Sequence, residues 1–424
     1  IEGAARAHAL LQRQAAMESD RYNFETTWQR VADLIDVGQA QFQTQDQVQG
    51  QRRDFFQFDS TGALALERFA AAMESMITPR TQRWCRLVAQ DKRLRDNILV
   101  QRYLDEVNDI LFAMRYAPTA GFTTATYEHY RSLGAYGSGA VAVMDDMARG
   151  GFRYQAQYLG NIWYSTNFQG EVDTVHRKFE WDARKAKQAF GDGPKSLFKD
   201  GAEKPNLPKF HFVQCIAPSE DYNPGNVDKR MAYLSEYVCV EANAIVESKG
   251  YFTRPIIVSR FATNPRETYG RGPATLVLNS LNTVNEMQKT LLRAGQQAVH
   301  PPLLLPNDDV LRGFNMRSGA LNYGGLDDQG NEMVKPLQNG ANMPIGLEMI
   351  ESERRIINDA FFVTLFQILV ESPQMTATEA LLRAQEKGAL LAPPMGRQQT
   401  EFIGPIIQRE LDIAIRQNRL PPMP

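Results

Sequence analysis

Apolar positions recur at helical spacing in the first part of the chain. Residues 2 to 36 predict helix in two pieces, since an apolar stripe is found in each half. The stripes are His8, Leu10, Leu11 and Ala15 in the first piece, and Trp28, Val31, Leu34 and Ile35 in the second. Three further amphipathic helices are predicted, from Asp59 or Ser60 to Ile77, over residues 98–116, and over 123–133. The stretch at 38–53, between the helix at 2–36 and the helix that ends at Ile77, is rich in Gln and predicts a solvated loop or an N-terminal arm.

From residue 140 the apolar period changes to two, which predicts strands. Eight are expected, at 140–144, 152–158, 162–165, 174–181, 210–216, 231–240, 244–247 and 256–261, with one short helix at 182–190. Gly and Pro separate most of these runs. The pattern predicts a mostly antiparallel sheet region flanked by helices, which is an α+β fold.

The last third of the chain predicts three helices. The first opens at Tyr269-Gly270-Arg271-Gly272-Pro273 and runs to about Arg293; the second runs from Ile345 to Leu369. Their apolar seams are Val277, Leu281, Val284 and Leu291 in the first, and Ile350, Ile357, Phe361, Leu365 and Ile368 in the second. An insert rich in Pro, Gly and Asn lies between them at 295–343. The two helices predict a stalk with a head at its end, or a helical hairpin inside one globular domain.

A very short connection follows the second helix. Pro373 breaks the helix there, because proline lacks a donor and clashes with the preceding turn. Thr376 and Glu379 then form a capping box that starts the third helix at once. This helix is predicted to be interrupted at Pro393-Pro394 and Gly396, and to resume through Ile403, Ile407, Leu411 and Ala414.

Charge balance, cysteine content and the length of apolar runs argue against several classes of protein. The 47 basic and 49 acidic residues nearly balance, whereas a compact domain that reads DNA sequence is usually basic. Three widely spaced cysteines, Cys85, Cys215 and Cys239, predict buried free thiols in a reducing compartment. The longest apolar run, 361–370, is too short for a membrane span of about 20 residues.

The sequence contains no recognisable catalytic set. None of its five histidines has a partner at metal-binding spacing. The Gly-x-Ser-x-Gly motif of serine hydrolases, the His-Glu-x-x-His motif of zinc proteases and the glycine-rich dinucleotide-binding motif are also absent from the sequence. The glycine-rich stretch 134–139 lacks the Lys and Ser/Thr of a phosphate loop and is interpreted as a helix-to-strand turn. Strand aromatics could stack on bases but are more simply core residues; they are Tyr154, Tyr158, Trp163, Tyr164, Phe179 and Trp181. An α+β enzyme with an unrecognised active site is the alternative to a structural protein.

The order and spacing of these segments resemble the portal (head-to-tail connecting) proteins of tailed bacteriophages, most closely those of short-tailed phages. Four motifs carry the resemblance: the Tyr-Gly-Arg-Gly-Pro opening at 269–273, Glu-Ser-Pro-Gln at 371–374, Met-Thr-Ala-Thr-Glu at 375–379, and Gly-Pro-Ile-Ile-Gln-Arg-Glu-Leu at 404–411. The resemblance implies a portal-like fold with a mixed helix and antiparallel-sheet wing, a two-helix stem, a clip insert and a long kinked C-terminal helix. Its parts would be the wing at 1–268, the first stem helix at 269–294, the clip at 295–344, the second stem helix at 345–369, a tunnel loop at 370–375, and the long wing helix at 376–424, with the crown short or absent.

The resemblance also implies the function. A homo-oligomeric ring, a dodecamer, would occupy one capsid vertex of the virion after assembly in the host cytoplasm. Double-stranded DNA would pass through it non-specifically during genome packaging and ejection. The implied partners are the terminase packaging motor, a tail adaptor protein, and the major capsid and scaffolding proteins, with no membrane, no cofactor, no metal and no catalytic residue.

Two sets of site residues follow from the resemblance. The tunnel loop, expected to face DNA, comprises Val370, Glu371, Ser372, Pro373, Gln374 and Met375. Candidate channel cations are Lys289, Arg293, Arg312, Arg317 and Lys335. A nearly neutral lining with few cations would give weak phosphate contact without a fixed register.

Overall fold

The first helix buries one face against neighbouring helices and the larger β-sheet. The structure, a computed structural model, describes residues 2–36, 42, 57–146, 150–219, 231–304, 326, 329–330, 335–336, 343–370 and 392–423. Helix α1 (Glu2–Ile35) is continuous, so the prediction of two pieces is wrong. Its buried face includes Ala7, Leu10, Gln14, Met17, Arg21 and Trp28, while His8 and Ala15 face solvent. The apolar pattern did not predict this continuous face, because Gln14 and Arg21 are polar. The buried Arg21 guanidinium donates hydrogen bonds to the carbonyl oxygens of Leu159 (3.0 Å) and Ile162 (2.6 Å).

Four helices follow in the N-terminal half: α2 (Thr61–Ile77), α3 (Lys92–Arg95), α4 (Ile98–Arg115) and α5 (Phe122–Tyr136). The start of α2 agrees with the prediction, since the Asp59 carboxylate accepts a hydrogen bond from the Thr61 amide at 2.9 Å. Helix α5 continues three residues past the predicted end and stops at Gly137, whose φ is 76°. The glycine-rich stretch is therefore a helix-to-strand turn, as predicted.

All eight predicted strands are present, in two antiparallel sheets. Strands β1 (Ser138–Asp145), β2 (Phe152–Gln157) and β8 (Ile256–Arg260) form a sheet of order β2-β1-β8. The larger sheet has the order β3-β4-β5-β6-β7, with β3 (Ile162–Thr166), β4 (Val172–Asp182), β5 (Lys209–Pro218), β6 (Tyr233–Cys239) and β7 (Ala244–Tyr251). The predicted short helix is α6 (Ala183–Phe190); the six-residue α7 (Leu197–Ala202) was not predicted. The predicted α+β class is confirmed.

The strand aromatics belong to the core rather than to a stacking platform. Tyr154, Trp163 and Tyr164 are buried. Phe179 packs on Phe212 with ring centroids 5.5 Å apart. These contacts explain the apolar alternation along the strands without a nucleic-acid surface.

The C-terminal third contains α8 (Pro273–Leu276), α9 (Leu278–Val299), α10 (Met343–Ala360), α11 (Val363–Val370) and a last helix, α12, over 392–416. A two-residue pair, β9 (Leu303–Leu304) with β10 (Lys335–Pro336), lies between α9 and α10. The first predicted helix thus continues six residues past Arg293, with a short irregularity at Val277. Within the described ranges, no helix is long and apolar enough to cross a membrane.

The second predicted helix is interrupted, contrary to the sequence prediction. It turns at Phe361 and Phe362, and Phe362 has a φ of 58°. Phe361 is fully buried and packs edge-on against Phe69, with centroids 6.2 Å apart. The Thr364 hydroxyl donates to the Asp359 carboxylate across the turn at 2.8 Å. Burial of this phenyl ring, which periodicity could not distinguish from a further helical seam position, sets the turn.

The break predicted at Gly396 is wrong, whereas the one predicted at Pro393-Pro394 stays a prediction, because these prolines lie in the first described turn of α12 and residues 371–391 lie outside the described residues. Residues 392–398 are helical through all three positions, and the irregularity is a π-helical turn at Gln399–Ile403. Gln398 and Phe402 are fully buried there, so packing offsets the weak helix propensity of Gly396. Gln398 Nε2 donates to the Arg260 carbonyl oxygen (2.9 Å), which fixes the turn against β8.

Candidate functional site: the paired helices and their junction with the body

Helices α9 and α10 pack against each other and form the paired helices. At the end near the body, Leu281, Val284, Ile350 and Ile357 are buried, as the predicted seams require. Farther along, α9 from 286 to 299 and α10 from 344 to 349 are exposed or half-buried. Leu291 and Leu365 are half-buried, and the side chain of Ile368 lies outside the described residues. The described part of the chain therefore covers little of the far ends of the two helices.

Each of the paired helices carries an exposed apolar stripe. On α10 it consists of Ile345, Met349 and Ile356, at helical spacing i, i+4 and i+11. On α9 it consists of Leu292 and Val299, spaced i and i+7. Exposed apolar residues that share one face of a helix are candidates for packing against another molecule.

The helices meet the body where two backbone segments cross. Gly270 and Gly272 lie against Gly137, the residue that ends α5. A Cβ at Gly137 would overlap the backbone of Arg271 and Gly272, and one at Gly272 would lie 2.5 Å from the Leu133 carbonyl oxygen. The crossing is held by the Gly270 amide, which donates to the Ser138 hydroxyl at 3.0 Å. Glycine is required because the two backbone segments approach each other without side chains between them.

Tyr269 anchors the same crossing. Its ring lies against Trp28 and Tyr164, with centroids 5.4 Å and 4.4 Å away. Burial raises the pKa of Tyr269 to about 12, so its hydroxyl stays protonated at neutral pH. Pro273 then occupies the first turn of α8, where its missing amide donor costs nothing. The opening motif is thus a structural joint: an aromatic anchor, two close-contact glycines and a helix start.

A second joint holds the segment before α2 between the paired helices. The Phe58 amide donates to Asn285 Oδ1 at 2.7 Å, and the Lys289 ammonium lies 5.6 Å from the Phe58 ring. On the other side, Arg354 Nη2 contacts the Asp59 carboxylate at 2.5 Å. Burial opposes ionisation of Asp59, but hydrogen bonds from Thr61 and Arg354 outweigh it and lower the pKa of Asp59. The segment ties both helices to the N-terminal half.

The predicted site residues fall in different places. Lys289 lies on α9 with its ammonium 3.2 Å from Glu286, and Arg293 is exposed farther along the helix. Lys335 lies in β10, opposite Leu304. Arg312 and Arg317 lie outside the described residues, as does the tunnel loop apart from Val370, the last residue of α11.

The buried titratable groups have structural roles. Desolvation lowers the pKa of His129 and of His176 to about 3, so both rings are neutral. His129 Nε2 is 2.9 Å from the Ser259 hydroxyl, which donates to Gln398 Oε1 at 2.8 Å. The serine and histidine are both enclosed and cannot meet a substrate. Among the residues the structure describes, no group of three or more His, Cys, Asp or Glu could hold a metal ion.

Sequence reasoning missed the ion pairs that attach α12 to the body. Arg115 of α4 forms two contacts with Glu410, at 2.9 and 2.5 Å, and both side chains are fully buried. Arg260 of β8 pairs with Glu401 at 2.7 Å. The partners lie 295 and 141 residues apart, so spacing could not reveal them. The available signal was the placement of Arg115 and Glu410 at helical spacing from buried apolar residues.

Comparison with known proteins covers almost the whole chain. Residues 7–424 match the family model described as bacteriophage head to tail connecting protein. The portal protein of Salmonella phage epsilon15 is 27% identical over 438 aligned residues, covering 98% of this chain and 76% of that protein. The probable portal protein of Bordetella phage BPP-1 is 27% identical over 429 aligned residues, again covering 98% and 76%.

Proposed function

Because the chain belongs to the family of bacteriophage head to tail connecting proteins, we propose that it forms a closed ring at one capsid vertex and that double-stranded DNA passes through the ring. The supporting observation is the pair of helices, which carry apolar stripes that the described part of the subunit leaves exposed. The ring would serve genome packaging and later ejection. Its role is structural, with no reaction step assigned to it.

The ring closes through head-to-tail contacts between neighbouring subunits. The α10 stripe, Ile345, Met349 and Ile356, packs on the next subunit's α9 stripe, Leu292 and Val299. Two different surfaces on one chain make a heterologous contact, which yields a ring when the rotation between subunits closes. Burying both stripes removes exposed apolar area from water, which stabilises the assembly at about 25 cal/mol per Å². A dodecamer is the expected size.

Placing charges in the α10 stripe should disrupt the ring and leave the subunit folded. We expect Met349→Glu with Ile356→Glu to convert a large particle into monomers, because unpaired carboxylates would be buried at each contact. Light scattering gives the particle mass, and thermal unfolding reports the fold. Leu94→Glu is the matched control, because Leu94 and Met349 are both 50% exposed. A double variant that keeps the wild-type mass would exclude this stripe from the interface.

A nearly neutral channel lining would let DNA slide through the ring instead of binding it tightly. The polar side of α9 carries Asn279, Asn282 and the Glu286–Lys289 pair, which nearly cancels. Few phosphates would be neutralised at any moment, so the salt dependence of DNA contact would be shallow. Lys289, Arg293, Arg312, Arg317 and Lys335 remain the proposed cations of the lining.

The connection after α11 is proposed as the narrowest part of the channel. We expect a photo-crosslinker on Gln374→Cys to attach to DNA in packaged particles, because the sequence predicts helix on both sides of 370–375 and a short connection of this kind would project its tip inward. The same reagent on Lys289→Cys or Arg293→Cys samples the stem. Crosslinking from the stem positions with none from position 374 would move the constriction to the stem.

The insert at 295–344 is the proposed docking surface for the packaging motor and later the tail adaptor. Within it, Leu304 pairs with Lys335 in a short antiparallel ladder. At the far ends of the paired helices, the insert would stand clear of the body. The body, residues 1–268, would face the major capsid and scaffolding proteins within the virion, after assembly in the host cytoplasm.

A further inference from the structure

A cleft separate from the paired helices opens beside α4. It has a volume of about 420 Å³ and lies between an extended segment, 83–87, and the face of α4 that carries Asp105 and Asn108. Its lining is Arg83, Trp84, Cys85, Arg86, Asp105 and Asn108. The set combines a thiol, an aromatic ring, an amide and charges of both signs.

Cys85 differs from the other two cysteines. The sequence predicts three buried thiols, but Cys85 is half-buried and reaches the cleft, while Cys215 and Cys239 are enclosed. Burial raises the pKa of Cys239 to about 11 and that of Cys215 still further, which keeps both as unreactive thiols. Arg115 Nη1 donates to the Cys85 sulfur at 3.4 Å and holds it at the cleft wall. Cys85 is therefore the thiol that a reagent can reach.

Asn108 indicates what the cleft receives. The residue is only 8% exposed, and its Oδ1 accepts from the Leu87 amide at 3.0 Å. Its Nδ2 is buried and has no hydrogen-bond partner in the described chain. A buried amide group with two unused N–H donors is costly unless an acceptor is supplied. The cleft that Asn108 lines is where a ligand carbonyl or carboxylate oxygen would reach it.

Charged side chains at the rim of the cleft form exposed ion pairs, in which a ligand could replace either partner. Arg86 pairs with Asp105 at 3.0 Å and Arg83 pairs with Asp109, and all four side chains are substantially exposed. Exposed pairs contribute about 0–1 kcal/mol, so either partner is available to a ligand. Guanidinium groups suit carboxylates, and Asp105 suits an ammonium group. The rim therefore fits a small zwitterionic peptide.

We propose that this cleft is a modification site, where Cys85 forms a mixed disulfide with a small peptide disulfide of the glutathione type. The Cys85 proton passes to solvent and the thiolate attacks one sulfur of the reagent. A bond forms between Cys85 Sγ and that sulfur, and the reagent's own S–S bond breaks. The Cys85 sulfur is oxidised; the second peptide leaves as a thiolate, takes up a proton and is the reduced product.

The test uses the purified full chain and glutathione disulfide. Intact mass and peptide mapping should show one glutathionyl group per chain, on Cys85, and Cys85→Ser should abolish it. Asn108→Asp keeps the acceptor for the Leu87 amide but removes both donors. We expect it to slow the reaction roughly fivefold, the effect of one lost hydrogen bond. The rate with iodoacetamide, measured in parallel, reports access to the thiol and should change little.

Arg86→Gln supplies a second variant should Asn108→Asp unfold the protein. It should slow the reaction with glutathione disulfide, while Arg184→Gln on the exposed face of α6 should not. First reaction at Cys215 or Cys239 would overturn the proposal, as would no reaction at all. Unchanged rates in both cleft variants would show that the cleft does not bind the peptide and that Asn108 is served by water alone.

Discussion

Replacing Glu410 by glutamine should lower the free energy of unfolding by about 3–5 kcal/mol, because it strands a buried guanidinium. Arg115 is 1% exposed, and both of its hydrogen bonds to carboxylate oxygens go to Glu410. Burial disfavours the Arg115 charge, but the field and hydrogen bonds of Glu410 outweigh burial and raise the pKa of Arg115 far above its usual value. The variant removes this support, but an arginine is protonated at neutral pH even without a partner, so the guanidinium stays charged next to a neutral amide. Urea denaturation followed by circular dichroism gives the change.

The matched control is Asp105→Asn, which breaks the exposed Arg86–Asp105 pair and should change stability by less than about 1 kcal/mol. The double variant Arg115→Met with Glu410→Leu should recover much of the loss, since it leaves no charge unpaired. Equal small losses for Glu410→Gln and Asp105→Asn would mean that the buried pair does not hold α12 to α4.

Gly137→Ala should destabilise the protein by about 2–5 kcal/mol. A left-handed backbone costs an L-residue about 1–2 kcal/mol, and overpacking adds about 1–3 kcal/mol. Here φ is 76°, and the new methyl group would overlap the backbone of Arg271 and Gly272. The loss should appear as a lower thermal midpoint and a lower urea midpoint.

Gly121 separates these two effects at the other end of α5. It has a similar left-handed φ of 71°, but a Cβ there would lie 3.5 Å from the Tyr154 carbonyl oxygen, an ordinary contact. We expect Gly121→Ala to show the conformational cost alone, about 1–2 kcal/mol. Equal losses at the two glycines would mean that the crossing relaxes to admit a methyl group.

Local signals explain what the sequence predicted correctly. The period-two alternation gave all eight strands, and the Asp59–Ser60 cap gave the start of α2, because both depend on residues close in the chain. The paired helices were predicted from apolar seams that the structure buries at Leu281 and Ile357. The proposed tunnel loop and the cations Arg312 and Arg317 lie outside the described residues and stay predictions.

Long-range packing explains the failures. The buried face of α1 includes Arg21, whose partners are carbonyl oxygens 138 and 141 residues away. The turn at Phe361 packs against Phe69, and α12 continues through Gly396 beside the buried Gln398 and Phe402. In each case a distant contact decides between local conformations of similar energy, and no single window of sequence contains it.

The glycine crossing at Gly137, Gly270 and Gly272 has a mechanical consequence. Side chains between two packed elements make their contact deformable, because rotamers can change when one element is pushed against the other. Here backbone touches backbone, so rotamer changes at the crossing cannot absorb such a push. Close-packed interiors transmit strain, so a force applied to the far ends of the paired helices would be passed through the crossing to the sheet β2-β1-β8. In the proposed ring, the tilt of the helices in each subunit would therefore be coupled to the position of its body.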